Sequence, residues 1–161
     1  MERGFAVVRS TPRAHYISRV ELESMKAVSS VVEENVGGVA CGDGVVVVWG
    51  TYRRGLMGGF IGVLGDRLRL SSTAPLQVAA LRRMEAYAVT LDGRLVELDL
   101  ESRRPVRRVL GRVEWRGAWK LVPVDWGFIV ASRGGVEAFH SGGGLAWRGR
   151  SPGVSRLEVA P

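Results

Sequence analysis

The sequence predicts a mainly β protein built from repeated antiparallel hairpins. Short apolar runs flank turns rich in Gly and Asp, and this unit recurs along the 161-residue chain. In one of these runs Leu95, Glu97 and Asp99 alternate with the apolar residues Val96, Leu98 and Leu100. Such a period of two is typical of a strand with one buried and one solvated face.

Four segments share the hairpin pattern, and their turns contain Asp-Gly, Gly-Gly or Gly-Asp pairs. The segments are residues 39–49, 60–70, 87–98 and 128–139. Asp-Gly between β-forming residues is the strongest short-range hairpin signal, since a type I′ turn needs a positive φ at both central positions. Gly-Gly and Gly-Asp meet the same requirement, so each segment predicts two paired strands.

The hairpins repeat at a regular distance. Segment 87–98 begins 41 residues before segment 128–139 and 48 residues after segment 39–49. Repeats of about 40–50 residues with several strands each indicate propeller blades. One predicted blade comprises strands 76–83, 86–91, 94–100 and 105–111, and the next comprises strands 119–125, 127–132, 135–141 and 144–150.

Over residues 36–150 the chain resembles a β-propeller of the WD40 or pyrroloquinoline-quinone-repeat type. The resemblance implies propeller-like blades, and a β-sandwich of the same hairpins is the alternative. A helical register for residues 77–86, which have high helix propensity, would conflict with these blades.

The first 35 residues lie outside the repeat region of the single predicted domain, 1–161. We expect a strand at 4–10 and a helix near 18–35, because Ser18 and Glu21 have capping-box spacing and apolar residues follow at helical intervals. A strand over part of 26–33 is the competing interpretation. A closed ring would need residues 155–160 to pair with the N-terminal strand; otherwise a homodimer could complete a larger ring.

Composition restricts the class of protein. The chain is 24% charged with a mean hydropathy of +0.07, which excludes a disordered chain. No apolar run approaches the length of a membrane span, and no signal-peptide core is seen, so we expect a cytoplasmic protein without a membrane partner. Poverty in Asn, Gln and Cys fits a thermophile.

Residues that could carry catalysis are few and scattered. His15 and His140 have no ligand partners at metal-site spacing, and Cys41 lies in an apolar run that predicts burial. Turn roles explain the recurring aspartates, which are Asp43, Asp66 and Asp92. We therefore expect no cofactor, no metal and no enzyme, and an active site assembled from these groups has no support in the sequence.

The most suggestive feature is a basic segment with interleaved tryptophans. The chain carries 23 basic and 16 acidic residues, and positions 101–120 hold seven of the former against two of the latter. The candidate partner-binding residues are Arg103, Arg104, Arg107, Arg108, Arg112, Trp115, Arg116, Trp119 and Lys120. Arg and Trp are frequent anchors of interfaces.

This segment predicts a non-enzymatic binding or scaffold module that holds an acidic partner. An RNA- or DNA-binding protein is the alternative, because Arg pairs with phosphates and aromatic rings stack on bases. The same composition would also result if the arginines lay on an ordinary outer strand, where their charges prevent another strand from pairing with the exposed edge.

Overall fold

The computed structural model describes residues 4–42, 44–53, 58–83 and 85–160. These residues form fifteen strands. The strands are β1 (Gly4–Ser10), β2 (His15–Glu21), β3 (Ala27–Val32), β4 (Asn35–Gly42), β5 (Val45–Thr51), β6 (Gly59–Leu64), β7 (Leu68–Thr73), β8 (Leu76–Arg82), β9 (Glu85–Thr90), β10 (Arg94–Leu98), β11 (Val106–Arg112), β12 (Lys120–Val124), β13 (Gly127–Ser132), β14 (Gly135–His140) and β15 (Leu145–Arg150). The described ranges contain no helix, and thus none that is long and apolar enough to cross a bilayer.

The strands form four antiparallel sheets in chain order. Blade 1 contains β1–β3, blade 2 contains β4–β7, blade 3 contains β8–β11 and blade 4 contains β12–β15. Every strand pairs only with its sequence neighbours within a blade, as expected for meandering sheets. The repeat boundaries predicted for blades 3 and 4 are confirmed to within a few residues.

The first strands of the blades pack side by side. β1 lies against β4, β4 against β8, and β8 against β12. This contact pattern places the first strand of each blade innermost and the last strand on the outer rim. Consecutive blades therefore pack face to face around a common axis.

The core lies between the blades. Val46 and Val48 of β5 pack in a cluster with Ile17 of blade 1, whereas Val47 packs in a second cluster that extends through blades 3 and 4. Because successive side chains of a strand point to opposite faces, blade 2 is buried on both sides. Polar contacts between neighbouring blades supplement this packing, since Arg19 donates to the Gly44 carbonyl (2.6 Å) and Arg82 to the Val124 carbonyl (2.6 Å).

The helix predicted near 18–35 is wrong. This segment contains most of β2, all of β3 and the first residue of β4, so the competing strand interpretation of residues 26–33 holds. Ser18 and Ser29 face each other across the β2–β3 hairpin with their hydroxyls 2.7 Å apart. Met25 adopts a left-handed φ of 53° in the turn, a conformation that ends any helix at this point. The helical alternative for residues 77–86 is also wrong, because residues 77–82 lie in β8 and residues 85–86 begin β9.

The turn at Asp92-Gly93 differs from the predicted type I′. Gly93 has a φ of 89°, whereas Asp92 does not have a positive φ. The Gly93 amide donates to the Thr90 carbonyl over 2.9 Å, which closes a four-residue turn with glycine in its last position. Asp92 instead accepts from the Thr90 hydroxyl and from Arg94 Nε, and these bonds hold the pKa of its carboxyl below the usual range.

Candidate partner-binding surface

The nine predicted residues follow the chain from the outer edge of blade 3 to the central axis. Arg103 and Arg104 lie in the β10–β11 turn, and Arg107, Arg108 and Arg112 lie on β11. The other four lie on the connection into blade 4 and at its first strand: Trp115, Arg116, Trp119 and Lys120. Since β11 is outermost and β12 is innermost, the nine side chains do not share one region of the surface: five lie on the outer rim, Trp119 and Lys120 lie at the axis, and Trp115 and Arg116 lie on the connection between them.

The first region, which we call the arginine rim, comprises Arg103, Arg104, Arg107, Arg108 and Arg112. The turn before β11 is fixed by local bonds, because the Asp99 amide donates to the Pro105 carbonyl (2.6 Å) and the Arg104 amide donates to the Ser102 hydroxyl (3.1 Å). Both turn arginines are exposed. A rigid turn thus presents two adjacent guanidinium groups to solvent.

The arginines of β11 differ in their partners. Arg108 Nε lies 3.2 Å from the Glu97 carboxylate on the neighbouring strand, and Arg112 donates to the Asp92 carbonyl over 3.3 Å. Arg107 instead lines a groove between blades 2 and 3. Two of the five rim charges are therefore engaged within the chain.

Trp115 is part of the packing between the blade 3–blade 4 connection and blade 4. It is half-buried against Gly134 and Gly135, and the Arg148 guanidinium lies 5.9 Å from its ring centroid. Arg148 in turn donates from Nε to the Glu137 carboxylate over 2.8 Å. The ring is consequently held between backbone and a cation, which limits the face it offers to a partner.

Glu137 anchors this connection from inside blade 4. Its side chain is completely buried, and its two oxygens accept from the Glu114 amide at 3.0 and 3.3 Å in addition to Arg148. Gln77 provides a second anchor, because its Oε1 accepts from the Ala118 amide (2.7 Å) while its Nε2 donates to the Thr90 carbonyl (2.9 Å). Neither role was visible in the sequence, where both residues occur in ordinary strand patterns.

The second region is a trough of about 560 Å³ along the innermost strands. It is lined by residues of β4, β8 and β12, of which Lys120 is the first residue of β12, and by Trp49 and Trp119. Trp119 is 36% exposed, so part of its ring faces the trough. Trp119 and Lys120 therefore lie at the axis and not beside the arginine rim.

The groove between blades 2 and 3 was missed by sequence reasoning. It encloses about 330 Å³ and is lined by charged residues from five separate turns or strands, among them Arg69, Arg83, Glu85 and Asp99 besides Arg107. Nearby, the Tyr87 hydroxyl donates to Glu85 over 2.6 Å; burial, reinforced by this bond, raises the pKa of Tyr87 to about 12. No local motif joins these residues, because the fold alone brings them together.

The remaining candidates for chemistry have local roles. His15 Nδ1 lies 2.7 Å from the Ser10 hydroxyl in the β1–β2 hairpin, and His140 is exposed at the end of β14. Cys41 was expected to be buried, but it is exposed on β4, where partial burial raises the pKa of its thiol. Asp43 lies outside the described residues, and across the described ranges no three His, Cys, Asp or Glu side chains cluster as metal ligands.

The four-blade arrangement resembles known β-propeller structures. The chain aligns with BamB from Moraxella catarrhalis with a TM-score of 0.55 and 16% identity, over 93% of this chain and 51% of that one. It aligns with HIRA(644-1017) with a TM-score of 0.51 and 13% identity, over 85% of this chain and 50% of that one. The chain thus spans about half the length of both structures.

Sequence comparison gives no relative. No protein-family description matches the chain, and no curated protein matches it. The structural likeness is therefore evidence of fold alone. It bears out the resemblance read from the repeats: this chain has the fold of four blades of a β-propeller.

Proposed function

We propose that the chain is a non-enzymatic binding module that holds an acidic protein partner through the arginine rim. The observation that carries this proposal is that Arg103, Arg104 and Arg107 are exposed or groove-lining, and their guanidinium groups have no hydrogen bond or ion pair within the described part of the chain. A guanidinium presents a planar fork of donors that matches a carboxylate. Three such groups on one turn and strand favour a ligand with several carboxylates.

The rim also offers apolar contact beside its charges. Val109, between Arg108 and the buried Leu110 on the same strand, is 52% exposed. Interfaces commonly combine arginine anchors with apolar contact at their centre. This combination supports a protein partner over a simple polyanion.

The tryptophans and the remaining cations have supporting parts in this proposal. Trp115 holds the connection that carries Arg116, which is exposed four residues after the end of β11. Trp119 and Lys120 would contact only a partner that extends to the central trough. The partner surface is therefore centred on the rim.

Nucleic acid remains the second candidate, because the same free guanidinium groups bind phosphates. Recognition of single strands usually adds stacking on exposed aromatic rings. The tryptophan that follows the rim most closely in sequence, Trp115, is half-buried under Arg148, and this favours the acidic protein. The cytoplasmic location and thermophilic source stay predictions from composition.

The test replaces Arg103, Arg104 and Arg107 with Ser and measures binding by fluorescence anisotropy to labelled poly-glutamate and to a short single-stranded RNA. We expect poly-glutamate affinity to fall about tenfold or more, since three exposed charge contacts are removed. We expect the unmodified chain to bind poly-glutamate more tightly than RNA at equal ionic strength.

The matched control replaces Arg13, Lys26 and Arg67, which are exposed in hairpin turns of blades 1 and 2. It removes the same charge away from the rim and should change affinity much less. An equal loss in both variants would mean that net charge alone attracts the ligand and would refute the rim. Tighter RNA binding, falling steeply between about 50 and 200 mM salt, would establish the nucleic-acid alternative.

A further inference from the structure

The two outer blades each leave one face without a covering sheet. Among the described residues, the substantial contacts between first strands join blade 1 to blade 2, blade 2 to blade 3 and blade 3 to blade 4, in one row from β1 to β12. Blades 2 and 3 are covered on both faces. The open face of blade 1 and the open face of blade 4 therefore each lie where a neighbouring blade packs in the case of blades 2 and 3.

The open face of blade 1 is mainly apolar, with the hydrogen-bonded Ser18 and Ser29 among its polar residues. Ile17 and Val32 point toward blade 2 and are buried. The residues that alternate with them on β2 and β3, and the β1 residues paired with those, therefore point away from blade 2. These include Phe5, Val7 and Val31, which are 43%, 45% and 49% exposed. The charged residue on this face is Arg9, whose guanidinium lies 4.6 Å from the Tyr16 ring centroid.

The open face of blade 4 is apolar as well. Phe128 and Phe139 point toward blade 3, where Phe128 lies 4.4 Å from Tyr87 between ring centroids. The alternate positions Ile129, Ala138 and Trp147 are in register on three adjacent strands and form a row across the other face. Trp147 is 58% exposed.

Blade 1 also has a free outer strand. It contains three strands, whereas the other three blades contain four, so the outer edge of β3 is unpaired among the described residues. Residues 151–160 follow the outermost strand of blade 4 and form no strand with any described residue. Ten extended residues reach about 33 Å, enough to cross the roughly 10 Å between packed sheets and run along β3.

We propose that two copies of this chain associate head to tail into one closed ring. The open face of blade 4 in each copy packs on the open face of blade 1 in the other, as consecutive blades do within the chain. Residues 151–160 of each copy then add a fourth strand to the β3 edge of the other. This interface is independent of the arginine rim and of the function proposed for it.

A second copy fits these faces better than an unrelated protein. The chain itself carries both halves of the joint, and a two-fold axis along the trough would form that joint twice. The propeller structures that the chain resembles are about twice its length, and two copies together would have a comparable number of blades. The sequence-based expectation pairs residues 155–160 with the N-terminal strand, whereas the proposed joint pairs them with β3 of the other copy, because among the described residues the outer edge of blade 1 is that of β3.

The first experiment measures the mass of the full chain by sedimentation equilibrium at micromolar concentration. We expect twice the 17.5 kDa of one chain. Val7→Arg should yield monomers, because it places a charge in the joint, whereas Leu91→Arg, at a 66% exposed turn position of blade 3, should leave the dimer intact. Circular dichroism confirms that both variants keep their strands.

The second experiment locates the contact. In a Cys41→Ser background, chains with Val31→Cys are mixed with chains with Leu157→Cys under mild oxidation, and the control mixture pairs Leu91→Cys with Leu157→Cys. We expect a disulfide-linked heterodimer mainly in the first mixture. A monomeric chain, open-ended higher oligomers, a dimer unaffected by Val7→Arg, or equal cross-linking in the control would each overturn the proposal.

Discussion

At the scale of single residues, two equivalent ion pairs of successive blades have unequal surroundings. Glu137 and Arg148 pair across β14 and β15, and Glu97 and Arg108 pair across β10 and β11. The Glu137 and Arg148 side chains are 0% and 32% exposed, whereas the Glu97 and Arg108 side chains are 12% and 53% exposed. The same cross-strand pattern thus stabilises the fold to different degrees.

We expect Glu137→Ala to lower the free energy of unfolding by about 3 kcal/mol, because it leaves Arg148 and the Glu114 amide without their acceptor. The matched change Glu97→Ala should cost about 1 kcal/mol or less, since water replaces the lost partner of Arg108. Urea denaturation of both variants provides the measurement. Equal losses would contradict the role given to burial of Glu137.

At the scale of elements, the hairpins of blades 3 and 4 could be predicted because their signals are local. Glycine turns such as Gly93 fix strand ends within a few residues. The solvated face expected for β10 is wrong, because Leu95 and Val96 point to opposite faces of the sheet and are both fully buried between blades. The helix near 18–35 was wrong because Val20, Leu22, Met25 and Val28 meet helical spacing, while β-branched Val31 and Val32 favour a strand. Pairing with β1 and packing on blade 2, which are non-local, decide between these periods.

Turn glycines provide a test at this scale. We expect Gly93→Ala to destabilise the protein by about 1–2 kcal/mol, because its φ of 89° is left-handed and costs an L-residue that much. Gly65→Ala in the β6–β7 turn serves as the control, since its φ is not in that region and an added Cβ would meet no atom within 4 Å. Thermal unfolding of the two variants compares them. A Gly93 variant as stable as the control would show that the turn relaxes without strain.

At the scale of the whole molecule, the basic segment 101–120 could be found in the sequence, but its separation into an outer rim and residues at the central trough could not. Sequence reasoning placed Arg107 and Arg108 on an outer strand, and β11 is that strand. It could not foresee that Trp115 packs on blade 4 or that Trp119 reaches the axis, because both depend on how blades stack. For the same reason, the groove that Arg107 shares with residues of blade 2 was invisible in the chain.

The ring of two copies predicts that thermal stability depends on protein concentration, because association stabilises the folded state by mass action. Each tenfold dilution should lower Tm by about 2 °C, given about 1.4 kcal/mol per tenfold and an unfolding entropy of about 0.7 kcal/mol/K for two chains. Scanning calorimetry over a hundredfold range of concentration measures this slope. Val7→Arg should unfold at a lower Tm that no longer changes with dilution, whereas Leu91→Arg should keep the slope. A flat Tm in the unmodified chain would mean that four blades fold without the partner copy, and the open apolar faces would then need another explanation.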